Sequence, residues 1–430
     1  MTKVLDVEAS KSDLLLIFLF FCISGNVLFT SKYIYPIFFV VLYLWGTKRI
    51  HKNQTYPEIQ KWGVIMCVIF LGQFFNLHFI SLLGSLNFFI KFSTAILIAD
   101  LLGRKFPYVA FKVMVFLSAI SIVCYTFVVV TGRFSGIVIG RQTSIILYNQ
   151  ILGGLSRNSG MFWEPGAFAG YLMMTIIMFI NDPSYLFKHK YGSLIILIAL
   201  LTTKSTTGYL LFAIYWMYNM RSHVKNKLLA IILLILTIPI GIFAYKNFDF
   251  LGDKIETQFA DANELFLFSQ GTTDHGRFSS IIFEWKYIKD QPIFGNNFSK
   301  ETRFRFHPEL FFLEQEGGFG NGFAGILSAM GIPFFIYFLF RLYNNKTILL
   351  KGAKIFMIIY LVLQLQGEAF FNYPFIMAFP FIQFHQGNRL VSAKYTSNSS
   401  EFSYKLYLKF LCDRLGVGGA AYLGGDRLLA

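Results

Sequence analysis

Residues 107–131 read PYVAFKVMVFLSAISIVCYTFVVVT, twenty-five positions in which Lys112 carries the only charge. A helix needs about 20 mainly apolar residues to cross a hydrocarbon layer of about 30 Å. Every backbone polar group must then be paired within the segment itself. Residues 107–131 meet both requirements, and their neighbours repeat them. Further apolar runs lie near 13–30, 33–47, 63–82, 86–102, 164–180, 191–203, 205–219, 228–245, 320–340, 354–369 and 372–386. The chain is therefore predicted to be an all-α polytopic membrane protein of about twelve transmembrane helices. Composition agrees: 55% of residues are apolar, 14% are charged, and the 430 residues include 52 Phe. Mean hydropathy is +0.55. Disordered, collagen-like and disulfide-stapled classes are excluded by the same arithmetic. Cys22, Cys67 and Cys124 lie inside apolar runs, and Cys412 lies in the tail. They have no spacing that suggests a disulfide or a zinc site.

A net charge of +15 would suggest nucleic acid in a soluble protein. In a membrane protein it bears first on orientation. With the N-terminus cytoplasmic, the inside loops hold Lys48, Arg49, Lys52, Lys61, Arg104, Lys105, Lys188, Lys190, Arg221, Lys225, Lys227, Arg341, Lys346 and Lys351. The short outside turns hold only Lys32 and Lys204. Both termini are thus expected inside. The stretch 191–219 is basic at both flanks, so it must cross twice, turning at Thr203-Lys204-Ser205-Thr206. The first span is not read as a cleavable signal, since Asp6, Glu8 and Asp13 flank it and no small-residue cleavage site follows.

Six regions follow from this layout. Residues 1–131 hold the first five helices, 132–163 a first large outer loop, and 164–245 helices six to nine. Residues 246–319 form a second large outer loop, 320–386 hold helices ten to twelve, and 387–430 are a cytoplasmic tail of atypical composition. The two outer loops are too long for turns and too aromatic for disorder. They are expected to fold as caps with short amphipathic helices. No internal repeat is visible, which argues against a transporter built from symmetric halves.

Residues able to do chemistry concentrate in those loops. Arg133, Arg141 and Arg157 stand in the first with no acidic residue before Glu164, and Arg157 leads through Trp163 to Glu164-Pro165-Gly166. Pro165 suits the first turn of a helix, and Glu164 then sits at the positive end of its dipole. A guanidinium on an aromatic shelf can grip phosphate in bidentate fashion. The plainer reading is an interfacial helix start, with Trp163 in the aromatic belt and Glu164 as a cap. The second loop carries Arg277, a helical stretch over 277–289 ended by Asp290-Gln291-Pro292, and the cluster Arg303, Arg305, His307, Glu309, Glu314 and Glu316. Each of these charges, taken singly, also reads as a solvated loop residue. No metal-ligand spacing, P-loop, dinucleotide fingerprint or hydrolase elbow is present. Inside the spans Lys91, Asp100, Lys112, Gln364, Gln366 and Glu368 are the polar exceptions. Asp100 and Lys112 lie near helix ends, where snorkelling accounts for them. Glu368 is a candidate to line an outer cavity.

Residues 13–386 resemble the bacterial O-antigen and capsular polysaccharide polymerases, a family related to the O-antigen ligases. The resemblance rests on the two long outer loops after the fifth and ninth spans and on three motifs. These are Arg157-x-x-Gly160-x-Phe162-Trp163-Glu164-Pro165-Gly166, Gly276-Arg277…Trp285…Asp290-x-Pro292-x-Phe294-Gly295, and Asn321-Gly322-Phe323-Ala324 followed by Gly331-Ile332. Two departures stand out. Gly320 occupies the position where the ligases often place a His, and the spacing from Arg141 to Gly153 is one residue longer than the polymerase pattern.

The resemblance implies a glycosyltransferase of the bacterial inner membrane that polymerises undecaprenyl-pyrophosphate-linked oligosaccharide repeat units at the periplasmic face, without cofactor or metal. Arg157 and Arg277 take the pyrophosphate-binding role, with Arg141, Arg303 and Arg305 assisting. Glu164 and His307 are the candidates for the base. The partners it implies are the lipid-linked oligosaccharide, membrane lipids and a chain-length regulator protein, with no nucleic acid. Two alternatives stay open: a ligase that moves finished glycan to an acceptor, and a flippase for lipid-linked oligosaccharide.

Overall fold

A computed structural model describes residues 9–29, 33–46, 52–78, 81–140, 142–151, 157–223, 277–298 and 321–385. All lie within one compact unit, Val7–His385. The described chain is mostly helical. It begins with α1 (Lys11–Ile23), α2 (Ile34–Gly46), α3 (Lys52–Leu77), α4 (Leu82–Leu102) and α5 (Phe106–Thr131). Ser10 opens α1 with a reciprocal capping box to Asp13, which fixes the entry of the chain. Between α4 and α5 a single 3-10 turn at Gly103–Lys105 interrupts the helix, where Gly103 takes a φ of +47°.

Among the described residues, two helical stretches are long and apolar enough to cross a membrane, Thr55–Leu77 and Leu82–Thr131. The second, at 50 residues, would span about 75 Å if straight, more than twice the hydrocarbon thickness. Shorter helices follow, the apolar α6 (Pro165–Ile177) and α8 (Lys190–Thr202) and then α9 (Thr206–His223), with the one-turn α7 (Ser184–Lys188) before α8. The chain turns between α8 and α9 at 203–205, where Lys204 has positive φ. The predicted span 228–245 and the tail 387–430 lie outside the described residues.

Three segments depart from the expectation. The first outer loop contains a small antiparallel sheet rather than amphipathic helices: β1 (Ile137–Ile139), β2 (Gln142–Ile145) and β3 (Tyr148–Ile151), in order β1-β2-β3. Ile139 pairs with Gln142 and Ile145 with Tyr148, so each connection is a two-residue hairpin. β-Branched side chains at 137–139, 143 and 145 and a positive φ at Gly140 favour this geometry over a helix.

The expected tenth span is instead a bent pair. α11 (Gly322–Met330) and α12 (Ile332–Tyr343) meet at 118° across Gly331. α10 (Arg277–Asp290) leads into the cause of the bend. The turn after it docks at the break, where the Ile332 amide donates to the Pro292 carbonyl at 2.8 Å. The amides of Asn296 and Asn297 donate to the carbonyls of Ser328 (2.7 Å) and Ala329 (3.0 Å). Gly331 has φ +82°, and a Cβ there would collide with the Ile293 carbonyl. Gln73 of α3 closes the joint: its Nε2 donates to Phe294 O at 2.6 Å and to Ala329 O at 2.8 Å, and its Oε1 accepts from Asn297.

The expected twelfth span is also not one helix. After α13 (Lys351–Gly367), a 3-10 turn at Phe370–Asn372, the short α14 (Pro374–Met377) and turns over 378–381 lead into an irregular run to His385. Pro374 and Pro380 explain the break, because neither carries an amide hydrogen for a helix. The run is buried, and non-helical backbone at such a position must be paired by protein groups. Asn345 Nδ2 donates to Pro380 O and Ile382 O, Asn181 Nδ2 to His385 O, and Phe384 N to the Thr347 hydroxyl.

The abundant Phe side chains form the interior. Trp62 is fully buried among Phe92, Phe334, Tyr337 and Phe381, with ring centroids 4.5–6.1 Å away. Phe21, Phe162, Tyr171 and Phe375 make a second nest beneath the site. Lipid is as apolar as these rings, so their contribution is close packing and edge-to-face geometry, about 1 kcal/mol per pair.

Candidate active site at the outer helix ends

The end assigned to the outside by the charge bias gathers the first and third motifs around the turn Gln366-Gly367-Glu368. Motif one is anchored from three directions. Asn158 donates to the hydroxyls of Ser121 (3.2 Å) on α5 and Thr202 (2.9 Å) on α8, and its amide donates to Thr202 O. Asn149 on β3 donates to Phe162 O at 2.8 Å, and Gln142 on β2 donates to Trp163 O at 2.7 Å. The sheet therefore fixes the motif's backbone. Phe162 stacks on Tyr171 at 4.2 Å, and Trp163 stacks on Tyr373 at 4.4 Å. Trp163 is a packing residue here, half-buried against the turn that follows α13.

Glu164 is the N-cap residue of α6 with extended backbone, and Pro165 takes the first helical position as its fixed φ favours. The Glu164 side chain makes no capping hydrogen bond. Its carboxylate and that of Glu368 both lie close enough to the Tyr373 hydroxyl to act on it electrostatically. Glu368 is buried and ends α13 in extended conformation. Motif three reaches the same turn. Asn321 caps α11 through the Ala324 amide at 2.9 Å and donates to Gln366 Oε1 at 2.6 Å. Gly322 rests directly on the Glu368 carbonyl, where any Cβ would clash.

Arg157 lies at the other end of motif one. Its Nε donates to Thr203 O at 3.2 Å, in the α8–α9 turn, and its charge reaches the Tyr209 hydroxyl. Arg157 and Glu164 thus share a segment but have different neighbours. Arg277 begins α10, as the pattern predicts; its side chain lies outside the described residues, as do Arg141, Arg303, Arg305 and His307. Motif two contributes architecture: its Pro292-to-Asn297 stretch is what wedges open the α11–α12 break.

One cation escaped the motif reading. Lys91 projects from α4 with Nζ 2.8 Å from the Asn372 carbonyl and 4.4 Å above the Tyr35 ring. Asn372 immediately precedes Tyr373, so this ammonium borders the two-carboxylate turn. The available signal was a lysine in the middle of LLGSLNFFIKFSTAILIADLL, which is costly in hydrocarbon unless it has work to do. Tyr35 and Tyr373 gave no signal among so many aromatics. Among the described residues, no three His, Cys, Asp or Glu side chains are placed to share a metal ion.

Residues 191–339 match the family model described as O-antigen ligase. That segment is similar to the O-antigen ligase family. That segment covers roughly a third of the chain, from α8 through most of α12, and includes the second outer loop with Arg277, Arg303, Arg305 and His307. It agrees with the relationship to O-antigen polymerases and ligases drawn from the three motifs. Motif one, Lys91 and Glu368 fall outside it. No curated protein and no solved structure matches the chain. The family segment supports a membrane enzyme of polysaccharide synthesis, of the glycosyl-transferring ligase or polymerase type.

Proposed function

We propose that the protein polymerises undecaprenyl-pyrophosphate-linked repeat units into O-antigen or capsular polysaccharide at the periplasmic face of the bacterial inner membrane. The observation that carries this reading is that two carboxylates, Glu164 and Glu368, act on Tyr373, the residue next to the Asn372 carbonyl that Lys91 holds. Glycosyl transfer from a lipid diphosphate needs both kinds of group. The bond between the anomeric carbon and the diphosphate oxygen breaks, and its electron pair leaves with the phosphate. The acceptor hydroxyl forms the new bond and yields its proton to a base within hydrogen-bond reach. Fixed cations stabilise the departing anion.

In this reading Arg157 and Arg277 hold the pyrophosphate, with Arg141, Arg303 and Arg305 around them, and Glu164 or His307 accepts the proton. No metal or nucleotide sugar is required, and a separate chain-length regulator is the expected protein partner. Ligase activity is the second reading, favoured by the description of the matched family. Gly320, where ligases often carry His, favours the polymerase. A flippase would call for symmetric halves, and no repeat supports it. The test is the purified protein in detergent with lipid-linked repeat units and no membrane gradient. Polymerase activity gives a ladder of lengthening glycans. Transfer to a core acceptor without lengthening supports the ligase, and no transfer at all removes both.

A further inference from the structure

Resting on that reading, we propose that Lys91, with the Tyr35 hydroxyl beside it, is a membrane-depth receptor for the diphosphate of the polyprenyl carrier. Lys91 is nine residues into α4, about 13 Å along the helix from its start. A lysine that merely snorkels extends its amine toward water. This one has its Nζ held between the Asn372 carbonyl and the face of Tyr35. Three ion pairs join described residues, Asp13–Lys105, Glu58–Arg341 and Asp182–His385, and Lys91 takes part in none of them. An ammonium at that depth without a counter-charge is costly, and an anion beside it offsets the cost.

The second observation concerns Tyr35. It is 1% exposed, and among the described residues its hydroxyl has no hydrogen-bond partner. That hydroxyl lies within electrostatic reach of Tyr373. A cation and a buried unpaired donor therefore stand together, and an oxyanion would satisfy both. The site's surroundings select how the anion arrives. Glu164 and Glu368 act on Tyr373 and disfavour extension of the diphosphate past that residue. On α2, Ile37, Val40 and Leu44 are exposed on the outer surface of the helix and suit an isoprenoid or acyl tail. A phosphate delivered on a lipid fits; the diphosphate leaving group of the donor is the one whose departing charge Lys91 would stabilise.

The test is equilibrium binding of undecaprenyl diphosphate to the full-length protein in phosphatidylcholine nanodiscs, with phosphatidylglycerol and inorganic pyrophosphate as competitors. The expected result is that Lys91→Gln weakens undecaprenyl diphosphate at least tenfold and Tyr35→Phe at least threefold. Inorganic pyrophosphate should compete weakly and phosphatidylglycerol not at all. Binding by Lys91→Gln within twofold of the unmodified protein overturns the proposal. So does competition by phosphatidylglycerol as strong as that of the carrier itself, which would make this a general phospholipid site. If Lys91→Gln fails to give monodisperse protein, Tyr35→Phe decides, and unchanged affinity there also overturns it. Absence of carrier binding by the unmodified protein would instead remove the proposed function on which the inference rests.

Discussion

The two ends of the helical body handle charge in opposite ways. At the end assigned to the cytoplasm, three basic side chains meet carboxylates, while Lys61, Lys190 and Lys354 lie over aromatic rings. Lys105 meets Asp13 at 3.3 Å, Arg341 meets Glu58 at 2.5 Å, and His385 meets Asp182 at 3.2 Å. At the outer end, Lys91 is held by the Asn372 carbonyl and the face of Tyr35, while Asn and Gln side chains fasten the loops. A cation already neutralised by a carboxylate has little left for an anionic substrate, whereas one held by a carbonyl keeps its charge. The contrast sets the pairs that lock the fold apart from Lys91, which has no carboxylate within salt-bridge distance among the described residues.

Substitutions can break that contrast in graded fashion. The largest structural loss is expected at the α11–α12 joint, where Gly331→Ala adds a Cβ against Ile293 O at a φ unsuited to alanine. The cost is roughly 3 kcal/mol or more, read as a collapse in the lifetime of monodisperse protein in detergent. At the inner end, Glu58→Ala and Arg341→Ala should each cost on the order of 1 kcal/mol. Both partners are only about a quarter exposed, and each single change strands the other charge. A double-mutant cycle measures the coupling, and neither change should alter substrate affinity.

The smallest effect is pH-dependent. His385 Nε2 lies 3.2 Å from Asp182 Oδ2, and its Nδ1 lies 2.6 Å from the Tyr108 hydroxyl. The His385 hydrogen bond, opposed by burial and supported by Ser184, lowers Asp182 from 3.8 to about 2. A depressed carboxylate contributes its stability fully above about pH 4 and loses it as pH falls toward 2. Solvent screening leaves on the order of 1 kcal/mol. Asp182→Asn should remove that acid-dependent slope from thermal denaturation curves while leaving the slope at higher pH unchanged.

How much of this was legible in the sequence depended on length and on partners distant in sequence. Helices α3, α4 and α5 were plain, because 20 or more apolar residues in lipid have no alternative to helix. The 372–386 run was equally apolar, but Pro374 and Pro380 cost it the helix, and its backbone is satisfied by Asn345 and Asn181, neither of which a hydropathy pattern reveals. The bend at Gly331 likewise depends on Pro292-to-Asn297 arriving from elsewhere. At the site, Glu164 and Pro165 were readable as a helix start. Trp163 and Asn158, quoted or passed over as motif letters, prove to be anchors that set the motif's position. Lys91 was visible as an anomaly, but its role needed Tyr35 and Asn372 beside it.

The central claim is that the outer cations serve transfer and the inner charges serve the fold. The most direct measurement is glycan extension by purified variants, scored as chain length per active molecule. Arg157→Ala and Arg277→Ala should abolish extension while the protein remains monodisperse, and Glu58→Ala and Arg341→Ala should extend normally. Full extension by Arg157→Ala and Arg277→Ala, or its loss in a well-folded Glu58→Ala, would contradict the account.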